Sequence, residues 1–206
     1  MLIPIVTEKL VPPQLKTVAL VLADISSYTE FITFNKTSLL HATEIIAELL
    51  ETVIDHADFP LVLNKLEGDA AFLYSDISAD PKAGARDVVR QAQRFFGVFS
   101  DKASVIASHR STCPCDACQG VKKLRLKIIL HGGEVAFRTI RNFEELSGEN
   151  VILAHRLLKN SVAEREYLMM TESFYDSTGG VPLHGGDVRQ ERYEDLGVVP
   201  VRTFRP

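Results

Sequence analysis

The sequence predicts an α+β domain built on a βαββαβ core, and three observations lead to it. Residues 17–23, TVALVLA, are a continuous, β-branched apolar run too short for a typical helix. Residues 38–55 and 81–108 carry apolar side chains at helical spacing. Between these two helices, residues 59–66 and 70–74 read as strands hinged at Gly68-Asp69, where glycine tolerates the positive φ of a hairpin turn.

The first run, buried on both faces, is the expected central strand, ending at Asp24. In SLLHATEIIAELLETVID, residues 38–55, Ser38 stands where a helix cap would, and Leu39, Leu40, Ile45, Ile46, Leu49, Leu50, Val53 and Ile54 supply the apolar side. Pro81 suits a first helical turn and opens the second helix, whose apolar side includes Val88, Val89, Phe95, Phe96 and Phe99. Residues 124–130, LRLKIIL, predict the next strand, and Gly132-Gly133 a turn into 134–139, EVAFRT. Ser147 is the expected cap of a short helix to Asn160, followed by a strand at 167–171 and one or two more within 192–204. The order is the split βαβ, ferredoxin-like arrangement with C-terminal α/β additions: one sheet carrying helices on one face.

The chain of 206 residues is 46% hydrophobic, which fits a single domain over 1–206 with a packed core and an insertion at about 109–123. A net charge of -4 argues against nucleic acid or an anionic membrane as partner. Residues 1–13, MLIPIVTEKLVPP, lack the basic region, apolar length and cleavage site of a secretory signal. With no run long enough to span a membrane, a soluble cytoplasmic protein is expected.

Asp24 and Asp69 should meet at neighbouring strand ends. Two such carboxylates repel unless protonated or bridged by cations, and hard divalent ions such as Mg²⁺ or Mn²⁺ take oxygen ligands of this kind. Here the residues carry a resemblance. DISSYTEF (24–31), KLEGD (65–69), LHGGEV (130–135) and GENVILAHRL (148–157), in this order, resemble the motifs of the class III adenylate/guanylate cyclase homology domain, in a bacterial branch with a cysteine-rich insertion.

The resemblance implies a two-metal mechanism in which ions on Asp24 and Asp69 activate the ribose 3′-hydroxyl and clamp the triphosphate. It also assigns roles residue by residue. Ile25 offers a backbone carbonyl to metal, and the amides of Ser26, Ser27, Tyr28 and Thr29 approach the phosphates. Lys65 falls where adenylate cyclases place a purine-reading lysine, which favours ATP over GTP, and Glu145 falls at the second purine-reading position. Arg156 matches the arginine that stabilises transition-state charge. A head-to-tail homodimer with shared sites follows, as does ATP or another purine nucleotide as ligand.

The sequence departs from that pattern at four points. Ile152 stands at the ribose-orienting asparagine position, with Asn150 two residues away; Ser27 replaces a glycine; Glu145 is longer than the usual aspartate. The C-terminal phosphate-binding lysine is missing from DLGVVPVRTF, leaving Arg189 or Arg192 as substitutes. The implied function is adenylate cyclase-like ATP binding with weak conversion to cyclic AMP. The alternative is a catalytically degenerate module acting as a nucleotide sensor or dimeric scaffold.

Outside the motifs, His109, Cys113, Cys115 and Cys118 could close a structural Zn²⁺ site in the insertion, with unligated or redox thiols as the alternative. His131, in an apolar strand, reads as a hydrogen-bonded core histidine. His41, His56, His155 and His184 show no partner pattern. Lys122, Lys123, Arg125 and Lys127 read as a solvated strand face.

Overall fold

A computed structural model describes residues 13–34 and 38–206; the N-terminal segment in which a signal was sought lies outside the described residues, apart from Pro13. Its elements run β1 (Gln14–Ser26), α1 (Tyr28–Phe34), α2 (Leu39–Asp55), β2 (Leu61–Glu67), β3 (Ala70–Asp76), α3 (Pro81–His109), α4 (Asp116–Gly120), a 3-10 turn (Val121–Lys123), β4 (Arg125–Ile140), β5 (Phe143–Ser147), α5 (Glu149–Leu157), β6 (Tyr167–Thr171), α6 (Glu172–Ser177), β7 (Gly185–Tyr193) and β8 (Gly197–Phe204).

The strands form one sheet in the order β2-β3-β1-β4-β6-β8-β7, with β5 pairing β4 off this path. β1 lies antiparallel between β3 and β4, and β4–β6 is parallel. The first four strands and α2 and α3 are the expected βαββαβ unit. β1 explains its own sequence. Ala19, Val21, Ala23 and Ile25 face α2 and α3, while Val18, Leu20 and Leu22 face the opposite side, so strict alternation buries every residue from Val18 to Ile25. That second face is covered by Ala154 and Leu157 of α5. Helices therefore lie on both faces, not one as expected.

Two further expectations change. Gly132-Gly133 is no turn: β4 runs through it to Ile140 and reverses at Arg141, whose φ is 58. A Cβ on Gly132 would meet the Phe174 ring at 2.7 Å, and one on Gly133 would meet the Asn150 amide at 2.4 Å. The glycines admit close neighbours, a role a single sequence does not separate from turning. Ser147 belongs to β5, and α5 is capped by Gly148 at φ 131. Among the described residues no helix is long and apolar enough to cross a membrane.

Candidate functional site

β1 ends between the β2–β3 hairpin and the start of β4, and this junction carries the acidic pair. Gly68, with φ 65, turns the hairpin so that the Asp69 carbonyl accepts a 3.1 Å hydrogen bond from the Ile25 N–H. That bond ties the hairpin tip to the residue after Asp24. The Asp69 carboxyl is pushed up from 3.8 to about 6, first by burial and next by the negative charge of Asp24. Asp24 pairs with Ala70 across the β1–β3 ladder, so the structure brings Asp24 and Asp69 to one junction.

A third group completes the junction. Lys127 is the β4 residue directly opposite Asp24, and its Nζ lies 2.8 Å from Asp24 Oδ2, both side chains largely buried. Lys127 also donates to the Leu158 carbonyl at 3.3 Å. It is not the solvated strand-face lysine expected from KKLRLK; of that basic cluster, Lys122, Lys123 and Arg125 are exposed. Asp24, Lys127 and Ser26 share one sheet face, and the buried Ser26 Oγ has no hydrogen-bond partner among the described residues. Ser27 adopts φ 71, a left-handed conformation that favours glycine, and its carbonyl accepts from Phe31 N–H at 2.8 Å as α1 begins. Tyr28 and Thr29 open that helix.

The other expected residues have partners of their own. Lys65 Nζ donates to Glu145 Oε2 at 2.8 Å, which joins in one chain the two residues that the resemblance expects to read a purine. Around them Tyr74 Oη donates to Glu144 Oε1 at 2.6 Å and Asn64 Nδ2 to the Glu144 carbonyl at 3.0 Å, so β5 reaches across to β2 and β3. Arg156 is engaged by Asp195 in the β7–β8 turn, through Nε at 3.1 Å and Nη2 at 2.6 Å to one carboxylate oxygen. Arg189 approaches Glu164 at 4.0 Å, and Arg192 is exposed on β7.

Ile152 is half exposed on α5. Asn150 turns inward instead: its Nδ2 donates to the Glu134 carbonyl at 2.8 Å, and its Oδ1 accepts from His131 Nε2 at 2.9 Å. The Thr171 hydroxyl lies 2.9 Å from His131 Nδ1. His131 is the buried, hydrogen-bonded core histidine the sequence suggested, its pKa lowered by burial.

A second cluster lies in the insertion. Cys113, Cys115 and Cys118 converge with a histidine, but it is His41 of α2. His109, the last residue of α3, is exposed and stands outside the group. The four donor atoms lie within 4.8 Å of one another, a set that could hold a metal such as zinc. Cys115 is pulled down to about 6, first by the Cys118 N–H that it accepts, whereas burial pushes Cys118 up.

A sequence-family profile described as a protein of unknown function, DUF2652, matches residues 46–167, more than half the chain and including Lys65, Asp69, the three cysteines, Glu145 and Arg156. The chain belongs to the DUF2652 family. This DUF2652 chain is 38% identical over 127 residues to the uncharacterised protein Rv2561/Rv2562 of Mycobacterium tuberculosis, a match covering 62% of the chain and 57% of that relative's length. Among solved structures, a guanylyl cyclase aligns at TM-score 0.72 with 12% identity, over 94% of each chain. The adenylyl cyclase CyaB from P. aeruginosa aligns at TM-score 0.69 with 14% identity, over 95% of this chain and 97% of its own. The DUF2652 chain thus has the nucleotide cyclase fold, as the motifs suggested; at these identities the likeness concerns the fold alone.

Proposed function

We propose that the protein is a divalent-metal-dependent ATP-binding domain that slowly converts ATP to cyclic AMP and pyrophosphate, working as a homodimer. The observation that carries the reading is the Asp24–Asp69 pair at the end of β1, with Asp69 held near pH 6 by burial and by its neighbour's charge. Such a pair suits a hard cation, and the Ser26 Oγ beside it, without a hydrogen-bond partner among the described residues, leaves a polar atom for a ligand. Mg²⁺ or Mn²⁺ on Asp24, Asp69 and the Ile25 carbonyl would neutralise phosphate charge and acidify the ribose 3′-hydroxyl.

The chain's own groups account for the rest. Lys127 offers an ammonium at the acidic pair, and it can pass from Asp24 to a phosphate oxygen once the carboxylate is otherwise engaged. It thereby supplies the cation missing from the C-terminal strands. Lys65 Nζ and Glu145 Oε2, 2.8 Å apart, present a donor beside an acceptor. That pattern complements adenine N1, an acceptor, beside its amino group, a donor. Arg156 would bind phosphate as charge develops on the pyrophosphate leaving group, while the 3′-oxygen bonds to the α-phosphorus and releases its proton to solvent. Because Lys65 and Arg156 are partnered away from the acidic pair, one chain's Lys65, Glu145 and Arg156 would serve the carboxylates of a second copy.

Ile152 cannot hydrogen-bond a ribose, and loss of a positioning group costs on the order of a few kcal/mol in the transition state. The proposed turnover is therefore slow. A second reading, a nucleotide sensor or scaffold without turnover, is favoured by the same residue together with Arg156 held by Asp195 and Asn150 held by His131.

The test is cyclic AMP formation by the purified chain with ATP and Mn²⁺ or Mg²⁺. Asp24→Ala and Asp69→Ala should each abolish it, and product unchanged in both variants would remove the acidic pair from the mechanism. Metal-dependent ATP binding without product would select the sensor.

A further inference from the structure

We propose that His41 Nδ1 and the Sγ atoms of Cys113, Cys115 and Cys118 bind one Zn²⁺ ion tetrahedrally, and that this ion fastens the insertion to the start of α2. These four residues share no member with the proposed nucleotide site. His41 Nδ1 lies 3.4 Å from Cys115 Sγ and 3.6 Å from both Cys113 Sγ and Cys118 Sγ. With zinc–sulfur bonds of about 2.3 Å and a zinc–nitrogen bond of about 2.0–2.1 Å, a tetrahedron has nitrogen–sulfur edges of about 3.6 Å. All three separations fit that length.

Hydrogen bonding does not account for the arrangement. One ring nitrogen carries either a single proton or a single lone pair, so it can serve one sulfur well and not three equidistant ones. A central cation serves all four donors at once, and three thiolates with an imidazole select a borderline-soft ion such as zinc over magnesium or calcium.

The surroundings complete the site. The Cys118 N–H donates to Cys115 Sγ at 3.5 Å, orienting one ligand. Three thiolates, one imidazole and Zn²⁺ leave one net negative charge, and the Arg110 guanidinium interacts with Cys118 while bonding Glu44 at 3.1 Å and Glu48 at 2.7 Å. His41, Glu44 and Glu48 form one stripe of α2, so the proposed metal and the arginine clasp the same helix. Within 110–123 only Ala117, Cys118 and Val121 are buried. A segment with so little apolar core needs a cross-link to hold one conformation. Four protein donors close the coordination shell, so the ion's role is structural. Its reach extends toward the acidic pair, because Gly120 packs on the ring of Phe31 in α1, the helix that follows β1; a Cβ there would meet Phe31 Cε2 at 3.4 Å.

The full chain, purified under reducing conditions without chelator, should contain about one zinc per molecule by elemental analysis. Replacing it with Co²⁺ should give the visible ligand-field bands of a tetrahedral site and near-ultraviolet thiolate charge transfer. His109→Ala should keep both signatures, whereas His41→Ala should weaken metal binding by at least about tenfold. Since His41→Ala could unfold locally, His41→Cys is the second variant. It should retain one zinc, with cobalt charge transfer increased by about a third as a fourth thiolate joins three. Folded, fully reduced wild-type protein that takes up no Zn²⁺ or Co²⁺ would overturn the site. A disulfide among the three cysteines in that preparation, or an unchanged cobalt spectrum in both His41 variants, would do the same.

Discussion

Lys127 Nζ sits 2.8 Å from Asp24 Oδ2, with the two residues directly opposite across the β1–β4 ladder. The lysine is a built-in counter-ion beside the acidic pair, and its positive charge lowers the pKa of Asp69, which burial raises. Lys127→Met should therefore destabilise the metal-free protein by roughly 2–4 kcal/mol at pH 7, because it leaves the largely buried Asp24 carboxylate uncompensated. Urea denaturation measures the loss. A Lys127→Met/Asp24→Asn double variant should recover more than half of it, and additive losses would mean that the pair is not coupled.

Asp69 gives a pH dependence of definite sign. Its pKa rises from 3.8 to about 6 on folding, so the stability it contributes is fully present below about pH 4 and is lost as pH rises through 6. Asp69→Asn should consequently stabilise the metal-free protein at pH 7–8, by on the order of 1 kcal/mol once solvent screening at a half-buried carboxyl is allowed for. Thermal melts of both proteins from pH 4 to 8 measure this. His131 acts in the opposite sense, since burial lowers its pKa: its contribution is present above about 6.5 and is lost as pH falls through the lowered value. The Asp69→Asn difference isolates one from the other. If the pair binds Mn²⁺, affinity should rise about tenfold per pH unit below 6 and level off above it, as one proton is released per ion bound.

What the sequence made legible was whatever depends on local pattern. Alternation along 17–23, helical spacing in 38–55 and 81–108, and the Gly68 turn each reflect a backbone period, and the core topology followed from their order. Contacts between distant segments left no such trace. His41 reaches the cysteines across more than 70 residues and looks like any histidine on the polar side of α2. Lys127 lies in a run of exposed cations, and only β1 beside it turns one of them inward. His109 is near the cysteines in sequence, but as the last residue of a 29-residue helix it is exposed and stands outside the group. Asp195 had no motif to mark it, since its role exists only through Arg156.

Gly133 tests whether β4 is continuous through its paired glycines. In a turn, alanine would be tolerated wherever φ allows; in a continuous strand its Cβ would fall 2.4 Å from the Asn150 amide. Displacing Asn150 would strand the buried His131 Nε2–H and the Glu134 carbonyl. Gly133→Ala should cost on the order of 2–4 kcal/mol, combining overpacking with a lost buried hydrogen bond. Asn150→Ala in the same background should recover part of the loss by removing the clash. Chemical denaturation of the three variants provides the comparison, and a neutral Gly133→Ala would restore the turn.

On the proposed function, the Arg156–Asp195 pair would bear on nucleotide binding rather than on folding. Both Arg156 contacts go to a single Asp195 oxygen, and that interaction is the first cause of the lowered Asp195 pKa. The pair is exposed, so phosphate can compete for the arginine, but Asp195 must be displaced each time. Asp195→Ala should thus raise the apparent affinity for ATP by about two- to fivefold at low salt, with the gain shrinking as salt screens the pair. Arg156→Ala should weaken ATP binding, and the double variant should behave like Arg156→Ala alone, since Asp195 would act only through the arginine. Titration with ATP and Mn²⁺ at two ionic strengths measures all three. An Asp195→Ala effect that persists without Arg156 would show Asp195 acting on the nucleotide's charge directly.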